Sequence, residues 1–340
     1  MVIVDAPGHE KEWEEYVSSH PQAYHYHQWR WKAIIEQAFG HSTRYLIARE
    51  GETVHGVLPL TLMSSWLFGR FMVSVPFVNY GGLLVSTSAA AKALLEKAEA
   101  IAREIGARHI ELRHIKPVGL GLQSKHHKVT LLLQLAQDVE TQWKQFDCKL
   151  RNQIRKAEKS QLSTMLGRED CLEAFYAVFA QTMRDLGTPV YGKSFFASIL
   201  EQFPTAKILL VNKEAATVAA GFMVSFRDTV EVPWAGSLKE YRPLCPNMLL
   251  YWEAMKWAMQ GGFQTFDFGR STPGEGTYRF KLQWGAVPIP LVWEYWMANQ
   301  KKMPDLSPKN PKYQVAINLW KQLPLAVANQ LGPVIVKNIP

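Results

Sequence analysis

The sequence predicts a two-domain α/β (α+β) protein in which one structural unit occurs twice. Three observations carry that prediction. The chain has 340 residues, beyond the roughly 250–300 at which a single core stops growing. Hydrophobic residues make up 47% and charged residues 20%; long disorder, which needs low hydrophobicity and high charge, is excluded. Helical and strand-like segments then recur in one order in the two halves.

The first half opens with helical text. Residues 10–19 are amphipathic, and Trp29–Phe39 (WRWKAIIEQAF) is a stronger helix that ends at Gly40. Strands follow at Arg44–Arg49 and Thr53–Leu62, with Gly51 at the turn. The segment Val75–Leu84 crosses to a long helix over Ser88–Ile105, ended by Gly106. Strands at Arg108–Arg113 and Lys128–Leu135 complete this half. The second half repeats the order. Helices span Cys171–Arg184 and Ser194–Gln202. Strands span Lys207–Asn212, Ala215–Phe226 and Val230–Leu238. A helix over Asn247–Gln260 stops at Gly261–Gly262, and strands at Gln264–Phe268 and Leu291–Met297 follow. The words VNYGGLL and VPWAGSL stand at matching distances before the two helix-ending glycines. The predicted boundaries are 1–145, 146–303 and a Pro-punctuated tail over 304–340.

Composition narrows the chemistry. The three cysteines, Cys148, Cys171 and Cys245, are widely spaced and form no C-x-x-C pair, which argues against a disulfide framework or a zinc ribbon. All ten histidines lie at or before His127, and none has metal-ligand spacing with an acidic partner, so no metal site is expected. No apolar run is long enough for a membrane helix. The N-terminus has neither a basic n-region nor a small-residue cleavage site. A cytoplasmic protein is expected. The 12 tryptophans fit thick cores or an aromatic-lined groove. The formal net charge of +8 suits a nucleic acid, a membrane surface or a small polyanion. At the join of the halves, Lys149–Lys159 (KLRNQIRKAEK) places Arg151, Arg155 and Lys159 at i, i+4, i+8, one basic stripe that could contact a polyanion. A solvated helix face is the plain alternative.

The most distinctive stretch is FDFGRSTPGEGTYRFKLQWG, residues 266–285. A strand ends at Asp267-Phe268-Gly269-Arg270, and a loop with Gly274 and Gly276 leads to Tyr278-Arg279-Phe280-Lys281. Arg270, Arg279 and Lys281 thus gather near exposed backbone N–H groups, an arrangement suited to an anionic ligand or a developing oxyanion. Asp267 is the counter-ion; its structural role would be pairing with Arg270 or Arg279. The kinase reading of Asp-Phe-Gly fails because the other kinase motifs are missing. A P-loop and a G-x-S-x-G nucleophile elbow are also missing, which favours direct transfer over a covalent intermediate.

The ordered words LRNQIRKAEK, FYAVFAQTMRDLGTPV, PNMLLYWEAM, FDFGRS and TYRFKLQWG resemble the FemAB-like family, and within it the exosortase (PEP-CTERM) system-associated branch. The resemblance covers nearly the whole chain and is strongest over residues 143–295. It implies two tandem acetyltransferase-type (GNAT-like) domains with mixed sheets flanked by helices, in agreement with the duplication. It implies an N-acyltransferase of EC class 2.3, working in a cleft between the domains. Acyl-CoA or aminoacyl-tRNA would be the co-substrate, with no resident cofactor. The acceptor would be an amine of a cell-envelope or exopolysaccharide precursor. The family word F-K-x-x-[FW]-G matches Phe280, Lys281, Trp284 and Gly285; the lysine is taken there to assist acyl transfer. Lys281 and Asp267 are therefore the catalytic candidates. Arg270, Ser271, Tyr278, Arg279, Phe280, Trp284, Tyr80, Trp234, Asn247 and His27 are the substrate-binding candidates. A second reading is a catalytically silent FemAB-like scaffold of envelope-polymer assembly. In the tail, Tyr313–Leu323 reads as a short amphipathic helix stopped by Pro324. It would either pack on the domains or touch a membrane surface or partner, which would place the protein peripherally at the inner face of the membrane.

Overall fold

A computed structural model describes residues 1–65, 68–299, 303 and 311–339. In chain order the first elements are β1 (Val2–Asp5), α1 (Glu10–Ser19), α2 (Arg30–Phe39), β2 (Ser42–Glu50), β3 (Thr53–Ser65), β4 (Gly69–Val73), β5 (Leu84–Val85), α3 (Ser88–Glu104), β6 (His109–His114), β7 (Gln123–Lys125) and β8 (Val129–Gln134). There follow α4 (Val139–Gln145), α5 (Cys148–Lys159), β9 (Leu162–Gly167), α6 (Leu172–Leu186), α7 (Lys193–Gln202), β10 (Lys207–Lys213), β11 (Ala216–Phe226), β12 (Thr229–Ser237) and α8 (Pro246–Gln260). The last are β13 (Thr265–Ser271), α9 (Gly276–Leu282), β14 (Val287–Pro290), β15 (Val292–Met297), α10 (Pro311–Gln322) and α11 (Leu325–Val336).

Two sheets result, and their strands follow one order. The first runs β1-β2-β3-β4-β6-β15-β7, with β5 on β3; the second runs β9-β10-β11-β12-β13-β8-β14. In each, the first three pairings are antiparallel, the fourth is parallel and the fifth is antiparallel. The parallel step needs a crossover, which α3 supplies in one sheet and α8 in the other. This matched topology is the expected duplication.

The boundary near residue 145 is corrected. Compact unit 1 comprises Met1–Lys128, Pro290–Leu306 and Ile335–Pro340; unit 2 comprises Val129–Ile289 and Ser307–Val334. The reason is strand pairing. β8, written in the first half of the sequence, hydrogen-bonds to β13, and β15, written near the end of the second, hydrogen-bonds to β6. The equivalent strand of each repeat has been exchanged.

Unit 1 packs α3 on its sheet through Leu94, Leu95, Ala98 and Ala102 against Leu46, Leu58, Leu60 and Ile110. In unit 2, neighbouring residues of β11 point to opposite faces, as a pleat requires. Gly221 meets Leu250 of α8 and Phe222 stacks edge-on with Phe175 of α6. The predicted tail helix exists as α10. The apolar segment after Pro324 is also helical, with Pro333 inside α11. The Pro-punctuated linker DLSPKNPKY falls largely outside the described residues.

Candidate functional site

The unit 2 cluster grows from a flaw in β13. Its register against β8 shifts between Asp267 and Arg270, and Gly269 has φ +70°, a left-handed conformation that glycine adopts without steric cost. This is a β-bulge, and two side chains tie it down. Asp267, fully buried, accepts from the Gly269 N–H at 2.7 Å and from the Thr130 hydroxyl at 2.6 Å. Lys281, on α9, donates from Nζ to the carbonyl oxygens of Gly269 at 2.9 Å and Arg270 at 3.1 Å. An ammonium has three N–H donors, so one remains beyond these two bonds. Burial pulls the Lys281 pKa down to about 8, although the Asp267 and Glu231 carboxylates act to raise it.

Glu231 is the residue the sequence reading missed. It is buried and stands in register with Asp267 across the parallel β12–β13 pair. That pair is laddered only over Thr229–Glu231 and Thr265–Asp267, although both strands run on. A glutamate inside the apolar text of β12 was the available signal.

Around the bulge, Trp284 packs with Phe146, Tyr251, Phe268 and Phe280. The indole N–H of Trp284 and the hydroxyl of Ser271 are buried with no hydrogen-bond partner among the described residues. Buried polar groups are seldom left so, and both flank the Lys281 segment in sequence. Tyr278 is half-buried against the same core, and Arg279 is exposed. Asn247, second residue of α8, is half-buried. Trp234 packs edge-on against Phe195, Phe196 and Phe222.

Unit 1 has a matching acid but, among the described residues, no matching lysine. Glu111 ends the parallel β4–β6 ladder as Asp267 ends β12–β13. It too accepts a hydroxyl from the exchanged strand, Tyr295 at 2.8 Å. Arg113 lies against Glu111 at 2.7 Å. ELR in β6 thus corresponds to DFGR in β13, where Gly269 is the extra, bulged residue.

His27 and Tyr80 line a unit 1 cavity of about 330 Å³, with Gly81, Gly82 and Ser86–Ser88 at the N-terminus of α3. His27 Nδ1 accepts from the Tyr24 N–H at 3.0 Å, and burial lowers its pKa to about 3, so the ring is neutral and its proton sits on Nε2. His114 Nε2 accepts from the Leu83 N–H at 3.0 Å while Nδ1 faces Glu294 at 2.9 Å. A Cβ at Gly82 would stand 2.3 Å from the His114 ring, so only glycine fits there.

Of the basic stripe on α5, Arg155 and Lys159 are exposed and Arg151 is half-buried. The Arg155 guanidinium lies 5.4 Å from the Trp143 ring centre. Asp147 caps the helix through the Leu150 N–H, and Leu150, Ile154 and Ala157 are its buried face.

Residues 144–282 match the acetyltransferase (GNAT) domain family. Among solved structures, FemX superposes with a TM-score of 0.69 at 17% identity, covering 93% of this chain and all of that one. A tandem GNAT protein from the clavulanic acid biosynthesis pathway gives 0.54 at 12%, covering 89% and 99%. L-PGS from Bacillus licheniformis gives 0.52 at 12%, covering 87% and 97%. No curated protein matches in sequence. Residues 144–282 are thus similar to the acetyltransferase (GNAT) domain family, and the chain has the fold of tandem GNAT proteins.

Proposed function

We propose that the protein is an N-acyltransferase that moves an acyl or aminoacyl group from a thioester or ester donor to an amine. The observation that carries this reading is Lys281: a buried ammonium, held by two bulge carbonyls, with a further N–H to give, inside a GNAT-type domain. The acceptor amine attacks the acyl carbonyl carbon, and a C–N bond forms. The carbonyl electron pair moves onto oxygen, and the third Lys281 N–H donates to that oxyanion. Collapse expels a thiolate from acyl-CoA or a ribose hydroxyl from aminoacyl-tRNA, and the amine proton leaves to the departing group or to water. Asp267 holds the bulge that positions Lys281, and with Glu231 it favours the charged form.

Ser271 and Trp284 supply further buried donors beside this segment. Tyr278, Phe280, Arg270 and Arg279 form its surroundings, and Arg151, Arg155 and Lys159 would meet the phosphates of a donor. The acceptor assigned is an amine of a cell-envelope or exopolysaccharide precursor, following the sequence resemblance. The test offers acyl-CoA and aminoacyl-tRNA, each with a pool of amines, and reads transferred mass by mass spectrometry. Lys281→Ala should keep the fold and lose about 10²–10³ in rate. Undiminished turnover would remove Lys281 from the chemistry. No transfer from either donor would favour the silent scaffold, in which Lys281 only ties α9 to β13.

A further inference from the structure

Large aliphatic side chains left in solvent are concentrated near the C-terminus. On α10, Val315 and Leu319 are 67% and 61% exposed and stand one helical turn apart. On α11, Val327, Leu331 and Val334 are 37%, 45% and 57% exposed, at the i, i+4, i+7 spacing of one face. Leu186, 53% exposed, ends α6 beside Gly187. These are not the faces on which the helices pack. Ile317 lies against Gly187, and Trp320 and Ala328 are buried. Gly332 approaches Val190 so closely that a Cβ would stand 2.9 Å from its carbonyl oxygen.

Charge indicates what covers such a surface. α11 carries no charged residue, and the charged residues of α10 are lysines. From Ser307 to Pro340 the sequence holds Lys309, Lys312, Lys321 and Lys337 and neither Asp nor Glu. Asp185, next to Leu186, is paired with Arg184 and Lys239. A second copy of the chain would set lysines against lysines, which repel. An anionic lipid leaflet instead offers an acyl boundary for the aliphatic stripes and negative headgroups for the lysines. Each helix has 12 residues, about 18 Å of length, short of the roughly 30 Å hydrocarbon core. Lying in the interface is the geometry open to them.

We propose that α10 and α11 dock the protein on an anionic bilayer surface, with Val315, Leu319, Val327, Leu331 and Val334 set into the headgroup layer. This is independent of the acyl-transfer reading. The test is cosedimentation of the full chain with vesicles of phosphatidylcholine alone or mixed with phosphatidylglycerol. Binding should require phosphatidylglycerol and weaken with salt. The triple variant Val327→Ser, Leu331→Ser, Val334→Ser should keep its thermal melt, since these side chains face solvent, and lose about tenfold or more in partitioning. Lys321→Gln should lose about fivefold. Absence of binding to phosphatidylglycerol vesicles would overturn the proposal, as would equal binding to both lipids. So would a lowered melt in the triple variant, which would make the face a packing surface, or a dimer by light scattering that the triple variant dissolves, which would make a second copy the occupant.

Discussion

Replacing Lys281 by Met should remove a pH dependence from the protein's stability, and no substrate is needed to see it. Burial lowers the Lys281 pKa from 10.5 to about 8. At about 1.4 kcal/mol per decade of proton affinity, that gap corresponds to about 3 kcal/mol. The sign follows from proton counting. Below pH 8 the lysine is charged in both states, and the folded state bears the full cost of a desolvated ammonium. Between 8 and 10.5 the unfolded chain binds more protons than the folded one, so stability rises with pH, and the cost is gone above 10.5. Methionine has no proton to lose. The stability of the wild type minus that of Lys281→Met should therefore rise by about 3 kcal/mol from pH 7 to pH 10.5. The variant also leaves the Gly269 and Arg270 carbonyls without their donor, a pH-independent penalty of about 1–3 kcal/mol for each, so the pH course and not the offset carries the result. Urea unfolding across that pH range measures it, with other titrating groups cancelling in the difference. A flat difference would refute this by showing that Lys281 titrates as in water, and a falling one by showing that the carboxylates outweigh burial and raise its pKa.

Catalysis should report the same amine: kcat/KM should fall above about pH 8, and Asp267→Asn, which removes a carboxylate that raises the Lys281 pKa, should move that limb to lower pH; a limb that rises through pH 8 would make Lys281 a base instead. His27 is buried and neutral, with its pKa lowered from 6.5 to about 3, so the folded state resists its charging and stability should drop as pH falls from 6.5 toward 3. His27→Gln, followed by denaturant unfolding at pH 4 and 7, should flatten that loss, and an unchanged slope would assign it to other groups. Any tRNA binding should be weak, with a log–log salt slope near −2 to −3 from about three phosphate contacts, and the triple variant Arg151→Gln, Arg155→Gln, Lys159→Gln should flatten it in a filter-binding titration. Tight binding that depends on aminoacylation and collapses in that variant would identify aminoacyl-tRNA as the donor.

Periodicity and punctuation were enough to locate most of the helices and strands, because those signals are local. Gly40, Gly106 and Gly261–Gly262 close helices where the sequence says they should. Six strands went unread, β1, β4, β5, β7, β9 and β14; all but β9 have five residues or fewer, too short for alternation to show. The loop expected around Gly274 and Gly276 gives way to α9 at Gly276 itself, since glycine punctuates a loop and a helix start alike. α11 carries Gly332 and Pro333 in its interior, which hides its periodicity.

The sequence by itself determined that one α/β unit occurs twice, that a basic helix stands near the middle, and that residues 266–285 hold an acid, several cations and a glycine loop. Tertiary structure alone decided how those parts meet. No local rule assigns β8 to the second sheet or β15 to the first, since the hydrogen bonds that place them join residues more than a hundred positions apart, as in Thr130 with Asp267 and Tyr295 with Glu111. The same holds for Glu231, which becomes a neighbour of Asp267 only through strand register, and for Trp234, whose aromatic face was absorbed by Phe195, Phe196 and Phe222. Lys281 was legible as a cation. Its two carbonyl partners exist only because Gly269 takes a left-handed conformation within a strand whose neighbours come from both halves of the chain.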